Sequence, residues 1–174
     1  MNKPESLRAH LLAAIPELRH NPDRMAVFID NGSIRSTAAT GLSFEYSYTL
    51  NIILLEFAGS PDAVAIPLLA WALVNQRELL ENLNTGKDAI KFEADVIDNS
   101  KVDLSITLPL TERVIVKQQD GKLNLEHPPE PVLEPYEPGG HWELYAKGEL
   151  VAEWDSVERI GIDIASPHPP RRYD

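Results

Sequence analysis

Cysteine is absent from this chain of 174 residues, and basic residues are few, with 16 Lys and Arg against 27 Asp and Glu. Without cysteine the protein has no disulfide, no zinc ribbon and no thiol nucleophile. The formal net charge of −11 argues against tight binding to DNA or RNA, because neutralising phosphates requires a clustered basic face. The same acidity disfavours binding to anionic membrane surfaces.

Long apolar runs are missing as well. The longest uncharged stretch, residues 63–76, is shorter than the ~20 apolar residues that span a bilayer, and Pro67 interrupts it. The first residues lead directly into an amphipathic segment and show no export signal. We therefore expect a protein that is made and used in the cytoplasm. Its apolar content of 43% suits one compact body with some chain to spare.

No catalytic or metal-binding pattern stands out from ordinary structural explanations. The histidines are too scattered to form a metal site on one strand or helix: His10, His20, His127, His141 and His168. The nearby carboxylates Glu93, Asp95, Asp98 and Asp103 imitate a nuclease cluster, but strand alternation places the first two on a solvated face. Gly-x-Ser-x-Gly and glycine-rich phosphate loops are absent. We expect no enzyme activity, no cofactor and no metal.

Apolar spacing predicts two helices and four strands. The helices are expected at 4–15 and 62–83, and the strands at 25–29, 44–57, 92–96 and 102–117. Asp30–Gly32 has the composition of a turn, and the small, polar segment 33–41 is typical of a mobile loop. Pro109 lacks an amide donor, so the last strand should lie at a sheet edge or carry a bulge there.

These elements predict an α+β fold with a mixed or antiparallel β-sheet and two helices packed on one face. We expect the α+β domain at residues 1–125, followed by an acidic, proline-rich linker at 126–140. A C-terminal β-hairpin arm is expected at 141–165 and a flexible tail at 166–174. A hairpin alone is marginally stable in water, so this arm should dock either on the body or on a neighbouring subunit.

Polar side chains alternate with the apolar ones along two strands, which indicates that one face of the sheet is solvated or meets a polar partner. Tryptophans in the arm are suited to locking such an arm onto a neighbour. The candidate interface or lumen residues are therefore Arg35, Glu45, Ser47, Thr49, Asp103, Ser105, Thr107, Trp142 and Trp154.

Six collinear segments between residues 1 and 130 carry a resemblance to a known family. They are Met1–Leu11, Asn21–Asp23, Leu42–Asn51, Ile66–Trp71, Val102–Leu108 and Leu110–Val114. In these segments the chain resembles the phage tail completion protein R (GpR) family of peduovirus-type contractile-tailed bacteriophages and prophages. The order of helices and strands is also similar to that of the tail terminator proteins of long-tailed phages, which form hexameric rings.

The resemblance implies a structural protein of the virion tail, assembled in the bacterial host cytoplasm. Such a protein caps the head-proximal end of the tail tube and prepares it for head joining. The implied partners are further copies in a ring, tail tube and sheath proteins and head–tail connector proteins, with no specific nucleic acid and no membrane. The alternative is a monomeric tail assembly adaptor or chaperone that is absent from the mature particle.

Overall fold

A computed structural model describes residues 1–36, 41–81, 88–97, 101–131 and 139–157. The helices are α1 (Lys3–Ala14), α2 (Pro16–His20), α3 (Asp62–Asn75) and α4 (Glu78–Glu81). The strands are β1 (Met25–Ser36), β2 (Phe44–Phe57), β3 (Lys91–Val96), β4 (Val102–Gln119), β5 (Lys122–Glu126), β6 (Gly140–Ala146) and β7 (Glu149–Ser156). Within these ranges, no helix has the length and apolar character needed to cross a membrane.

The body is one antiparallel sheet in which β2 and β4 are the central pair. The strand order is β1-β2-β4-β3, and β5 continues as a hairpin with the far end of β4. Alternate residues of the central strands point to one face and are buried beneath α1 and α3, among them Leu50, Ile52, Leu104 and Leu108. The expected α+β fold, with an antiparallel sheet and helices on one face, is confirmed.

Strand β1 is longer than its sequence predicts. The turn expected at Asp30–Gly32 is a β-bulge, and the chain continues as a strand to Ser36, so the loop expected from Ser33 is wrong as far as Ser36. The physical reason is that β2 begins at Phe44 and offers a partner to every residue from Ser33 onward. Asn31 takes the positive φ of 53° that such a bulge requires. The remaining loop residues 37–40 lie outside the described residues.

The helix expected at 62–83 is divided in two. Helix α3 runs through Pro67, which removes only the one hydrogen bond that proline cannot donate, and ends at Asn75. Gln76 leaves the helical conformation because its side chain is drawn to β4. Its Oε1 accepts the N–H of Thr111 at 3.2 Å, and its Nε2 donates to the Thr111 hydroxyl at 3.0 Å. Residues 82 and 83 lie outside the described part of the chain.

These contacts with Gln76 provide hydrogen-bond partners for the part of β4 that pairs with neither β3 nor β5. Pairing with β3 ends at Thr107, and pairing with β5 begins at Ile115. Between them, the N–H of Thr111 points outward to Gln76. Because alternate residues direct their N–H groups the same way, the nitrogen of Pro109 also lies on this edge, where no donor is needed. The sequence-based placement of Pro109 at an edge is confirmed.

Helix α1 is held to the sheet by a buried carboxylate. Glu112, only 4% exposed, accepts the backbone N–H of Asn2 at 2.8 Å and that of Lys3 at 3.1 Å. His127 Nδ1 lies 2.6 Å from the same carboxylate. Burial alone would raise the pKa of Glu112, but these donors outweigh it and hold the pKa below its ordinary value. A negative charge at this position also complements the helix dipole.

The C-terminal hairpin β6–β7 is present, as expected, and its strand β7 packs on α1 and α3. Glu130, in the expected linker, binds α1 through its Oε1, which lies 2.7 Å from Lys3 Nζ. Residues 132–138 of the linker lie outside the described ranges. Residues 158–165 of the expected arm and the expected tail at 166–174 also lie outside them.

Replacing Glu112 with Gln should lower the free energy of unfolding by about 2–3 kcal/mol at pH 7, because hydrogen bonds to a buried charge are lost. Since folding lowers the pKa of Glu112, this contribution is complete above its ordinary value and disappears as the pH falls through the lowered one. Urea unfolding followed by circular dichroism from neutral to acidic pH measures both effects.

The matched control is Glu149→Gln, which removes an exposed carboxylate and should leave the unfolding midpoint unchanged. Equal midpoints for Glu112→Gln and the unaltered chain at pH 7 would refute the assigned role of Glu112.

Candidate functional site

The sheet face that points away from the helices is the candidate site. We call it the open face and define it by Ser47, Thr49, Asn51, Ile53, Asp103, Ser105 and Thr107. The register places Asn51 opposite Thr107 and Ile53 opposite Ser105. The predicted polar rows of β2 and β4 therefore form one continuous surface. Within the residues that the structure describes, the helices and the hairpin all lie against the other face.

The middle of the open face is lined by hydroxyl groups. Ser47 and Thr49 project from β2, and Ser105 and Thr107 project from β4. In the described ranges, the side chains of Ser47 and Thr107 form no hydrogen bond with another residue, so their hydroxyls face solvent. On β2 and β4 the middle of this surface is polar and uncharged, and Asp30 of β1 adjoins it by accepting a hydrogen bond from Asn51 Nδ2 at 2.6 Å.

Charged residues cross the end of the open face in register. Arg35 on β1 lies opposite Glu45 on β2, which in turn lies opposite Arg113 on β4. Arg35 Nη2 and Glu45 Oε1 are 3.0 Å apart. Because Arg35 is well exposed, this ion pair contributes little to stability. Its effect is to balance the charge at this end of the face.

Asp103 has a structural contact that its sequence position does not reveal. Its Oδ1 accepts the N–H of Glu56 at 2.7 Å, where a bulge near the end of β2 forces Glu56 to a φ of 48°. The carboxylate thus supports a strained stretch of backbone. Asp103 also lies opposite Asp95 of β3, so this corner of the open face is acidic.

The two tryptophans of the arm lie away from the open face. Trp142 and Trp154 are opposite each other in the β6–β7 hairpin, and Trp142 Nε1 donates to Ser156 Oγ at 2.8 Å. Trp154 packs toward the core, but its buried indole N–H finds no acceptor in the described part of the chain. The structure therefore brings together the predicted strand residues but not the tryptophans.

The hairpin docks on the body of its own chain, which the sequence left open. Arg19 Nη2 binds Glu153 Oε1 at 3.0 Å across this contact, and Ala152 of β7 is completely buried on the side of the hairpin that faces the body. The unsatisfied N–H of Trp154 opposes docking, since a buried donor without a partner costs about 1–3 kcal/mol.

A groove of about 720 Å³ lies beside the contact between the hairpin and α1 and is lined by residues of both. On its walls, burial lowers the pKa of His10, whereas a hydrogen bond with Asp155 raises the pKa of His141. In the described ranges, no group of three or more His, Asp or Glu side chains could hold a metal ion. Among the described residues that line the groove there is no serine or threonine side chain.

Sequence reasoning missed Glu112 and Gln76, whose buried contacts join α1, α3 and β4. For Glu112 a signal was available. It occupies a position in β4 where the alternation of Leu108, Leu110 and Val114 predicts an apolar core residue. A carboxylate at such a position needs buried donors. Gln76 follows the apolar stripe of α3 without any comparable signal.

Comparisons with known proteins point to one family. The sequence profile of the P2 phage tail completion protein R (GpR) family matches residues 1–131. Tail completion protein R of Escherichia phage P2 is 44% identical over 160 residues, which cover 89% of this chain and 99% of that protein. No solved structure shows significant similarity to this chain.

Replacing Ala152 with Asp should release the hairpin from the helices, because an unpaired charge cannot be buried there without a cost of several kcal/mol. An undocked hairpin is unstable in water. Hydrogen exchange measured by mass spectrometry should therefore show faster exchange of the β6 and β7 amides, with β2 and β4 unchanged. The control is Leu150→Asp, since Leu150 is 40% exposed on the same strand. Similar exchange in the two variants would contradict this docking.

Proposed function

Because this chain belongs to the GpR family of phage tail completion proteins, we propose that its copies close a ring on the head-proximal end of the tail tube. The ring caps the tube and prepares it for head joining, and by analogy with long-tailed phages it has six subunits. It acts by shape and self-association and catalyses no reaction. The family membership supports a structural role in the tail.

The observation that carries this proposal is the open face. A sheet that buries one face under helices and leaves the other polar and uncovered is suited to lining an aqueous passage. The hydroxyls of Ser47, Thr49, Ser105 and Thr107 would face the lumen. The net charge of −11 repels phosphate, so DNA would pass without being held.

The remaining candidate residues fit supporting positions in this proposal. Arg35 lies near the end of β1, and Glu45 lies near the start of β2. Both would meet the tail tube, together with the segment that joins the two strands. Asp103 would shape the acidic corner of the lumen. Trp142 and Trp154 would keep the arm in place.

The partners proposed for the ring are tail tube and sheath proteins on one side and head–tail connector proteins on the other. Specific nucleic-acid binding and membrane contact are not part of the proposal. The organisation that we propose is an assembly domain at 1–125, an acidic proline-rich linker at 126–140, an arm at 141–165 and a tail at 166–174. The protein would assemble in the host cytoplasm and remain in the virion tail.

Replacing Ser47 and Thr107 with lysine tests whether the open face lines the lumen of the ring. Within the described residues, neither side chain forms a hydrogen bond that the substitution would remove. Glu45 and Asp103 are poorer positions because both already bind neighbouring groups. In a phage that lacks its own copy, the Ser47→Lys/Thr107→Lys variant should lower the yield of infectious particles at least about tenfold, because added cations would hold passing phosphates. Plaque counts measure the yield, and immunoblots of purified tails measure incorporation.

The matched control is Gln118→Lys/Gln119→Lys, which adds the same charge at the exposed end of β4 and should leave the yield unchanged. Normal yields with the lysines at 47 and 107 would contradict the lumen assignment. Absence of the chain from purified particles would contradict the structural role itself and support an adaptor or chaperone.

A further inference from the structure

The outer strands of the sheet are β1, β3 and β5, and within the described residues no second strand pairs with the outer side of β1 or β3. Natural proteins usually protect such edges because unpaired N–H and C=O groups invite another strand. Here the edges carry exposed apolar side chains as well as charged ones. On β3, Phe92 is 69% and Val96 is 74% exposed, and on β1 Ile29 is 40% exposed. Both edges therefore have the properties of interaction surfaces.

The outward-pointing backbone groups can be assigned from one hydrogen bond. The N–H of Thr111 points away from β2, so the odd-numbered residues of β4 in this register direct their N–H groups toward β3. Lys91, Glu93 and Asp95 lie opposite such residues and exchange hydrogen bonds with them. The free backbone groups of β3 consequently belong to its other residues, which are Phe92, Ala94 and Val96.

The same alternation assigns the edge of β1. Odd-numbered residues of β2 point toward β1, where they lie opposite Ala26, Phe28 and Asp30. The free backbone groups of β1 therefore belong to Val27 and Ile29, whereas the N–H of Met25 already donates to the carbonyl of Pro22. On both edges these outward-pointing residues have their side chains on the helix side of the sheet. A strand pair formed between the two edges would satisfy the free backbone groups of both strands and would place their apolar side chains on the same face.

Strand direction also permits such a pair. The strands in the order β1-β2-β4-β3 alternate in direction, so β1 and β3 are antiparallel to each other. A second copy in the same orientation presents its β1 antiparallel to the β3 of the first. Repeating this step extends the antiparallel sheet from copy to copy, and a heterologous contact of this kind closes into a ring when the rotation permits.

We infer that β3 of one copy pairs with β1 of a second copy of this chain, with Phe92 opposite Ile29. This register places Lys91 opposite Asp30, an attractive pair on the open face. Sliding the strands by two residues either separates these charges or places Glu93 opposite Asp30. A β3–β3 pair centred on Ala94 is disfavoured because Glu93 would lie opposite Asp95.

The helix side of this register is apolar throughout. Phe92, Ala94 and Val96 lie opposite Ile29, Val27 and Met25. A groove of about 210 Å³, lined by Leu69 of α3 and by Ile90 and Phe92, adjoins the edge and would receive the incoming Ile29. The second copy would thus cover apolar surface that one chain leaves exposed. This inference rests on the self-association in the proposed function, and it names the two strands through which neighbouring copies would contact each other.

Cysteines in place of Phe28 and Glu93 test the register. In the proposed register, residue 28 of one copy and residue 93 of the other form a non-hydrogen-bonded pair. The Cα atoms of such a pair lie about 4.5 Å apart, which is within the range of a disulfide. The chain has no other cysteine. Strands β1 and β3 are separated by two strands, roughly 14 Å from edge to edge, so a disulfide within one chain is excluded. Mild oxidation of the Phe28→Cys/Glu93→Cys variant should therefore produce a ladder of covalent multimers on a non-reducing gel.

The control is Phe28→Cys/Lys91→Cys, whose sulfurs lie on diagonal residues and should cross-link much less. Equal cross-linking of both variants overturns the register, and dimers formed by Phe28→Cys alone indicate pairing of β1 with β1 and overturn the inference. Absence of multimers from both double variants also overturns it. Light scattering of the unaltered chain then separates the two proposals. Oligomers without cross-links leave self-association intact, whereas a monomer contradicts both.

Discussion

The pairing of β2 with β4 is the constraint on which the rest of the structure depends. Two long strands with a strict period of two can lie together only if one face is apolar and the other polar. The apolar face requires helices to cover it, which places α1 and α3. The polar face then stays free, and the shorter strands β1 and β3 become the edges. Both proposed functional surfaces follow from this single pairing.

Much of this arrangement could be predicted from local sequence. The alternation in β2 and β4 identifies both strands, their faces and the polar rows. Prediction failed where a distant partner decided the outcome. The turn signal at Asp30–Gly32 is real, but β2 supplies partners on its far side and converts it to a bulge. The apolar stripe of the sequence continues past Asn75, but α3 ends there, where the side chain of Gln76 accepts a hydrogen bond from the N–H of Thr111.

The candidate site shows the same division. Sequence alternation places Ser47, Thr49, Ser105 and Thr107 on one face, because the direction of a side chain depends only on its own strand. It cannot show that Asp103 binds the N–H of Glu56, since that contact depends on a bulge in another strand. The docking of the hairpin on its own chain was equally inaccessible, because it depends on surfaces that only the folded helices create.

The contact of Glu112 with the first residues of α1 spans 110 positions of the chain. A ribosome adds about 5–20 residues per second, so α1 emerges several seconds before the carboxylate that anchors it. During that interval the sheet that its leucines cover is incomplete, because β4 has not been made. The contact with Glu112 therefore forms only after β4 has been synthesised, and a 12-residue helix has little stability of its own until then.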